Sequence, residues 1–224
     1  MPQDPNPTAQ QRDPPGHTAP IQPHPSDEMA DHVGRGLLEG EVALVTGGDS
    51  GIGRAVCVAF AKEGADVAVA YLSEDADAEH TANLVRAAGR RCLMLRGDLA
   101  DAAHCQEVVD RTVAELGRLD VLVNNVATQE TEDDPEKITD ERWLRTFDVN
   151  VHSFFRVTRA AMPHLGAGSA VINTGLVNGL RGNRSLIDYS ASKGAVTALT
   201  YSLAQALVDR GIRCVAPGPV WTPG

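Results

Sequence analysis

Apolar residues along this chain come in two textures. Short runs are apolar on both faces of an extended chain: VALVT from Val42, DVAVAY from Asp66, RCLMLR from Arg91, LDVLVNN from Leu119, SAVINT from Ser169 and IRCVAPG from Ile212. Such runs are strands buried between two layers. Between them lie stretches with apolar positions three and four apart. GIGRAVCVAFAKEGA closes on Gly64, DAEHTANLVRAAG on Gly89 and AHCQEVVDRTVAELG on Gly117; two more run around Trp143 to His164 and from about Asp188 to Asp209. A glycine just past the last periodic residue is a helix stop. Strand and helix alternate throughout, so the pattern predicts an α/β fold: a doubly wound, Rossmann-type parallel sheet covered by helices on both sides. No repeat of solenoid length interrupts it.

The texture is absent from residues 1–38, which hold eight of the thirteen prolines and few aliphatics. A segment of that composition buries too little apolar surface to offset its ordering entropy, so a disordered polar tail is expected there, followed by one folded domain over 39–224. Its histidines, His17, His24 and His32, are irregularly spaced and read as solvated tail residues, and no metal site is expected. Thirty acidic residues against twenty Lys and Arg leave a formal charge of −10, which argues against nucleic acid as a partner, because affinity for it draws on neutralised phosphates. No apolar run reaches the ~18 residues of a membrane span. The N-terminus lacks the basic and apolar regions of a secretory signal. Cys57, Cys92, Cys105 and Cys214 show no Cys-x-x-Cys spacing, as expected of reduced thiols in a cytoplasm.

The first strand runs directly into TGGDSGIG, Thr46 to Gly53, and then into a helix. Glycines there allow a tight turn and close backbone approach to a phosphate, and the helix N-terminus offers free N–H groups and a positive dipole. At this junction the turn is a dinucleotide signal. The second strand ends in Tyr71-Leu72-Ser73, with neither an acid to bind a ribose 2′-hydroxyl nor an arginine to favour a 2′-phosphate, so NAD and NADP stay equally open. Near the other end, Tyr189 and Lys193 stand four apart, on one helix face, among small residues.

Six motifs in order resemble the short-chain dehydrogenase/reductase family, over about residues 39–224: the Gly-x-x-x-Gly-x-Gly turn, GDL after the third strand, NNVA after the fourth, FDVNV, YSASK and APGPVWTP. The resemblance implies a cofactor, NAD or NADP, held by Gly47, Asp49, Ser50, Gly51, Ile52 and Gly53. It implies an adenine contact at Asp98 and Leu99, further contacts at Asn125 and Lys193, and a nicotinamide-holding turn at Pro217, Gly218 and Thr222. It also implies catalysis by Tyr189, Lys193 and Asn150. Tyr189 would exchange a proton with the substrate oxygen as hydride passes to or from the nicotinamide, helped by Lys193 and the positive nicotinamide of the oxidised cofactor, which together lower the phenol's pKa. Asn150 would seat a water that relays protons from Lys193. The implied substrate is a small alcohol, aldehyde or ketone, and the implied assembly a homo-oligomer.

Three departures from the family pattern stand out. The family places a serine thirteen residues before the tyrosine to polarise the substrate carbonyl; here that position is Leu176, with Thr174 and Ser185 the hydroxyls nearby in sequence. The sixth strand, IRCVAPG, is two residues shorter than the family's. The chain ends at Gly224, so the domain is expected to lack the family's final strand and its substrate-covering segment. The alternative to an active oxidoreductase is therefore a nucleotide-binding relative with impaired turnover.

Overall fold

The structure is a computed structural model that describes residues 26–215. Among these, six parallel strands form one sheet in the order β3-β2-β1-β4-β5-β6: β1 Val42–Thr46, β2 Asp66–Tyr71, β3 Cys92–Arg96, β4 Val121–Asn124, β5 Ala170–Asn173 and β6 Arg213–Val215. Every residue of β1, β2 and β4 is buried. That explains why these runs are apolar without alternation: both faces are covered. One core, built around Leu44, Leu95, Leu122, Val157 and Val171, fills one side of the sheet. A second, around Val45, Cys57, Val67, Val69 and Val123, fills the other. Each fully buried Val or Leu contributes about 1.5–3 kcal/mol, so the sheet's central strands carry much of the stability.

The strand order doubles back at β1, which pairs with β2 on one side and β4 on the other. The C-terminal ends of those strands open a crevice at the point where open α/β sheets bind ligands. The covering helices are α1 Gly51–Lys62, α2 Asp75–Ala87, α3 Ala102–Leu116, α4 Asp140–Phe147, α5 Ser153–Ala161, α6 Asn178–Arg181 and α7 Ile187–Leu207. Helix α3 starts where Asp101 accepts from the Ala103 N–H and stops at Gly117, φ +96°. That left-handed conformation is one only glycine adopts freely.

Three features differ from the expectations. The helix expected around Trp143–His164 is α4 and α5 joined through a π turn at Asp148–His152; wider turns of this kind gather at functional sites. The short helix α6 has too few residues for periodicity to register. The third concerns the expected tail. Residues 1–25 lie outside the described residues, but 26–38 pack against α1. Polar groups hold them there: Lys62 Nζ donates to the oxygens of Met29 and His32 at 2.5 and 3.1 Å. Glu63 accepts from the Arg35 and Leu37 N–H groups at 2.8 and 3.1 Å, and His32 Nε2 lies 2.9 Å from its other oxygen. Hydropathy is blind to such anchors, so the disordered segment was drawn too long.

Candidate active site

The glycine turn follows β1 and is welded to the end of β4. Thr46 Oγ1 accepts from the N–H groups of Asn125 and Val126 at 2.9 and 3.2 Å, and Asn125 Nδ2 donates to Gly47 O at 3.1 Å. Two glycines are there for space. A Cβ on Gly53 would lie 1.8 Å from Gly47 O, and one on Gly47, at φ +63°, would meet Val126 Cα at 3.0 Å. Gly51 is different: at φ +50°, a Cβ would meet nothing within 4 Å. The open space over the first turn of α1 is what an approaching phosphate needs, so the turn fits a dinucleotide. Asp49 has its carboxylate turned to Ser50 Oγ, 3.2 Å away; burial pushes its pKa up. Its main-chain oxygen accepts from Arg54 Nη2 at 2.7 Å and Thr81 Oγ1 at 3.0 Å.

Asp98 and Leu99 follow β3. Asp98 accepts from Arg145 Nη1 at 2.7 Å and from the Ala100 N–H at 2.9 Å. Partial burial raises its pKa, but these donors outweigh that and hold the carboxyl below its ordinary value. Oxygens already serving two donors keep further lone pairs for an adenine amino group. Leu99 is buried, and its oxygen accepts from Cys105 Sγ.

Tyr189 and Lys193 lie on α7 at the C-terminal edge of the sheet, both buried. Lys193 Nζ donates to Thr174 O at 2.8 Å and sits 5.4 Å from the Phe154 ring centre and 5.5 Å from that of Tyr189. Burial pushes the lysine down to about 8 and the tyrosine up to about 12. With the ammonium bonded to Thr174 and no bound nicotinamide beside the phenol, loss of water dominates both groups.

Asn150 sits fully buried inside the π turn. Its Oδ1 accepts from the Thr128 N–H at 2.8 Å, and its Nδ2 donates to Thr128 O at 2.9 Å and to Ser192 Oγ at 3.1 Å. The side chain thus clamps the loop after β4 to the helix of the Tyr–Lys pair. Both hydrogens of its amide nitrogen are thereby engaged.

Leu176 follows β5, and its oxygen accepts from the Gly179 N–H at the start of α6. Both hydroxyls that could replace the family's serine are committed elsewhere: Thr174 Oγ1 donates to Asn125 Oδ1 at 3.1 Å, and Ser185 Oγ donates to Asp133 Oδ1 at 2.5 Å. Pro217, Gly218 and Thr222 lie outside the described residues. Among the described residues no group of three His, Cys, Asp or Glu could hold a metal.

Sequence reasoning missed Asp188. Its carboxylate accepts from Arg142 Nε at 3.0 Å and Thr146 Oγ1 at 2.9 Å, and Arg142 Nη2 reaches Glu130 O at 2.6 Å. This fully buried acid ties α4 and the loop after β4 to the turn that bears Tyr189. The signal was an acid directly before Tyr189 in SLIDYSASK, within the first turn of α7.

The short chain dehydrogenase family model matches residues 41–224. The chain belongs to the short-chain dehydrogenase family. It is 50% identical over 211 residues to general stress protein 39 of Bacillus subtilis, covering 93% of this chain and 74% of that one. It is 43% identical over 217 residues to the chloroplastic NADPH-dependent aldehyde reductase 1 of Arabidopsis thaliana, covering 93% and 75%. A short-chain dehydrogenase from Burkholderia cenocepacia, solved in complex with NADP, superposes with a TM-score of 0.77 at 35% identity, over 79% of this chain and 72% of that one. As a short-chain dehydrogenase, the chain is an oxidoreductase of Rossmann type.

Proposed function

We propose that the protein binds NADP(H) and interconverts a small aldehyde or ketone with its alcohol, with turnover limited by Leu176. The observation that carries this is a continuous string of contacts. Gly47 in the phosphate turn is bonded to Asn125, Asn125 to Thr174, and Thr174 to Lys193, one helical turn from Tyr189. A dinucleotide laid along that string would reach from the cradle to the phenol. Once bound, its nicotinamide supplies or accepts the hydride. Lys193 turns its ammonium from Thr174 O toward the ribose hydroxyls, and Tyr189 Oη gives a proton to the carbonyl oxygen or takes one from the alcohol.

NADP(H) is favoured over NAD(H) because both the Arabidopsis relative and the Burkholderia neighbour carry the phosphorylated cofactor in their names; at the end of β2, Asp75 accepts from Tyr71 Oη at 2.9 Å and from Arg96 Nη1 at 3.0 Å. The family's adenine contact is assigned to Asp98 and Leu99. No helix among the described residues is long and apolar enough to cross a membrane, and the four cysteines are free; a cytoplasmic setting is in keeping with both. Exposed Leu144, Phe155 and Tyr201 suit a homo-oligomer. A second reading, a nucleotide-binding protein without turnover, is favoured by the commitment of Thr174 and Ser185 to other partners, which leaves neither hydroxyl in place of the family's serine.

The test is a fluorescence titration of the purified protein with NADPH and NADH, followed by turnover of NADPH with a panel of small aldehydes. The proposal expects tighter binding of NADPH and slow, measurable reduction. Binding without any reduction selects the second reading, and absence of binding defeats both.

A further inference from the structure

The N-terminal end of α1 has no side-chain cap of its own: Ser50, at the cap position, makes no such bond. The acceptor comes instead from Asp27, twenty-four positions earlier. Its Oδ2 takes the Gly51 N–H and Arg54 Nη1, each at 3.0 Å. Asp27 and Arg54 are both buried. The same guanidinium spans to the phosphate turn and to α2, donating to Asp49 O at 2.7 Å and to Thr81 Oγ1 at 3.0 Å, while Thr81 Oγ1 donates to Asp49 O. The turn Asp49–Gly51 is therefore gripped at both ends by one ion pair. Its carboxylate fixes the amide of Gly51, and its guanidinium fixes the carbonyl of Asp49. We propose that Asp27 is a positioning residue for the dinucleotide cradle: it acts through Gly51 and Arg54 to hold the turn in the shape that accepts a pyrophosphate.

The physical reason lies in the backbone. Gly51 has φ +50°, a conformation with no side-chain packing to fix it, so a glycine there samples alternatives unless its amide is held. Removing the Asp27 carboxylate leaves that N–H unpaired and loosens the counter-charge of a guanidinium whose other carboxylate partner, Asp77, is 3.3 Å away. The turn then pays an ordering cost each time cofactor binds. The inference rests on the dinucleotide reading of the preceding subsection.

The experiment compares wild type, Asp27→Ala, Asp27→Asn and Lys62→Met. Each is titrated with NADPH by fluorescence, melted without cofactor, and followed by amide hydrogen exchange over residues 49–54. Lys62→Met is the control for strap attachment, because Lys62 holds the same segment through Met29 and His32 at the far end of α1. Asp27→Ala is expected to weaken NADPH binding about tenfold and speed exchange in 49–54. Asp27→Asn, which keeps an acceptor for Gly51, is expected to fall between it and wild type. Lys62→Met is expected to lower the melting temperature while leaving NADPH affinity within about twofold of wild type. Unchanged affinity in Asp27→Ala overturns the inference, as does an equal loss in Lys62→Met, which would make the role merely structural. Tighter binding in Asp27→Ala also overturns it and would mark the carboxylate as a competitor of the phosphate. Failure of wild type itself to bind NADPH or NADH overturns the functional reading and this role with it.

Discussion

Lys193 Nζ donates a 2.8 Å hydrogen bond to the main-chain oxygen of Thr174 and is otherwise enclosed by the rings of Phe154 and Tyr189. A buried ammonium with one neutral acceptor is costly, and its pKa falls to about 8. The folded value lies below the unfolded one of 10.5. The unfolded state therefore binds more protons between the two, and this group's contribution to stability rises with pH from about 8 to about 10.5. Lys193→Met is expected to raise the melting temperature of the cofactor-free protein at pH 7 by roughly 3 °C or more, since about 2–4 °C corresponds to 1 kcal/mol in a domain of this size. The same substitution should weaken cofactor binding. Calorimetry at pH 7 and pH 10 checks this; the gain should shrink at the higher pH.

Leu176 gives the second prediction. Removing one hydrogen-bond donor to a developing oxyanion costs about 10²–10³ in rate, so Leu176→Ser should raise carbonyl reduction at least about tenfold. On that background Tyr189→Phe should remove at least about 100-fold, because the phenol is the group that exchanges the proton with the substrate oxygen. The phenol, at about 12 without cofactor, keeps its proton through neutral pH. Reduction should therefore vary little between pH 6 and 9, whereas alcohol oxidation, which needs the phenolate, should climb with pH. Initial rates in both directions across that range decide the point.

The two roles of glycine in the turn are separable. Gly53→Ala drives a Cβ to 1.8 Å from Gly47 O, and the turn must open; a loss of about 3 kcal/mol or more is expected, in the range of severe overpacking. Gly51→Ala meets no neighbour and costs only the left-handed backbone, about 1–2 kcal/mol. Yet its methyl projects where a phosphate would lie, so it should weaken NADPH binding far beyond its modest effect on stability. Denaturant unfolding and cofactor titration on the two variants separate the effects.

Asp188 is fully buried, which by itself would raise its pKa, but Arg142 and Thr146 outweigh burial and hold it below 3.8. Its stabilisation is present above that value and is lost as pH falls through the folded pKa. Asp188→Ala strands Arg142 and should destabilise by about 3 kcal/mol, as expected when one partner of a buried pair is removed. Asp188→Asn, which keeps acceptors for both, should cost less. Because Arg142 also holds Glu130, the alanine variant should speed proteolysis of the loop after β4, and limited proteolysis measures that directly.

Much of this was legible from the sequence because it depends on spacing along the chain. The strand runs are apolar on both faces since both faces are covered, and Gly47, Gly51, Gly53, Tyr189 and Lys193 carry their geometry in their intervals. What was not legible depends on contacts between distant positions. Asp27 caps a helix twenty-four residues away, Arg142 neutralises an acid forty-six residues on, and Thr174 intercepts both Asn125 and Lys193. Periodicity likewise ran one helix through the π turn at Asn150, whose backbone hydrogen-bond pattern leaves no mark in the order of apolar residues.

The most direct measurement of the central claim is a crystal structure with NADPH soaked in. The account predicts pyrophosphate density over the first turn of α1 at Ile52, with the nicotinamide ring facing Tyr189 Oη and Lys193 swung from Thr174 O to the ribose. Density elsewhere, or a phenol walled off from the ring, would contradict it.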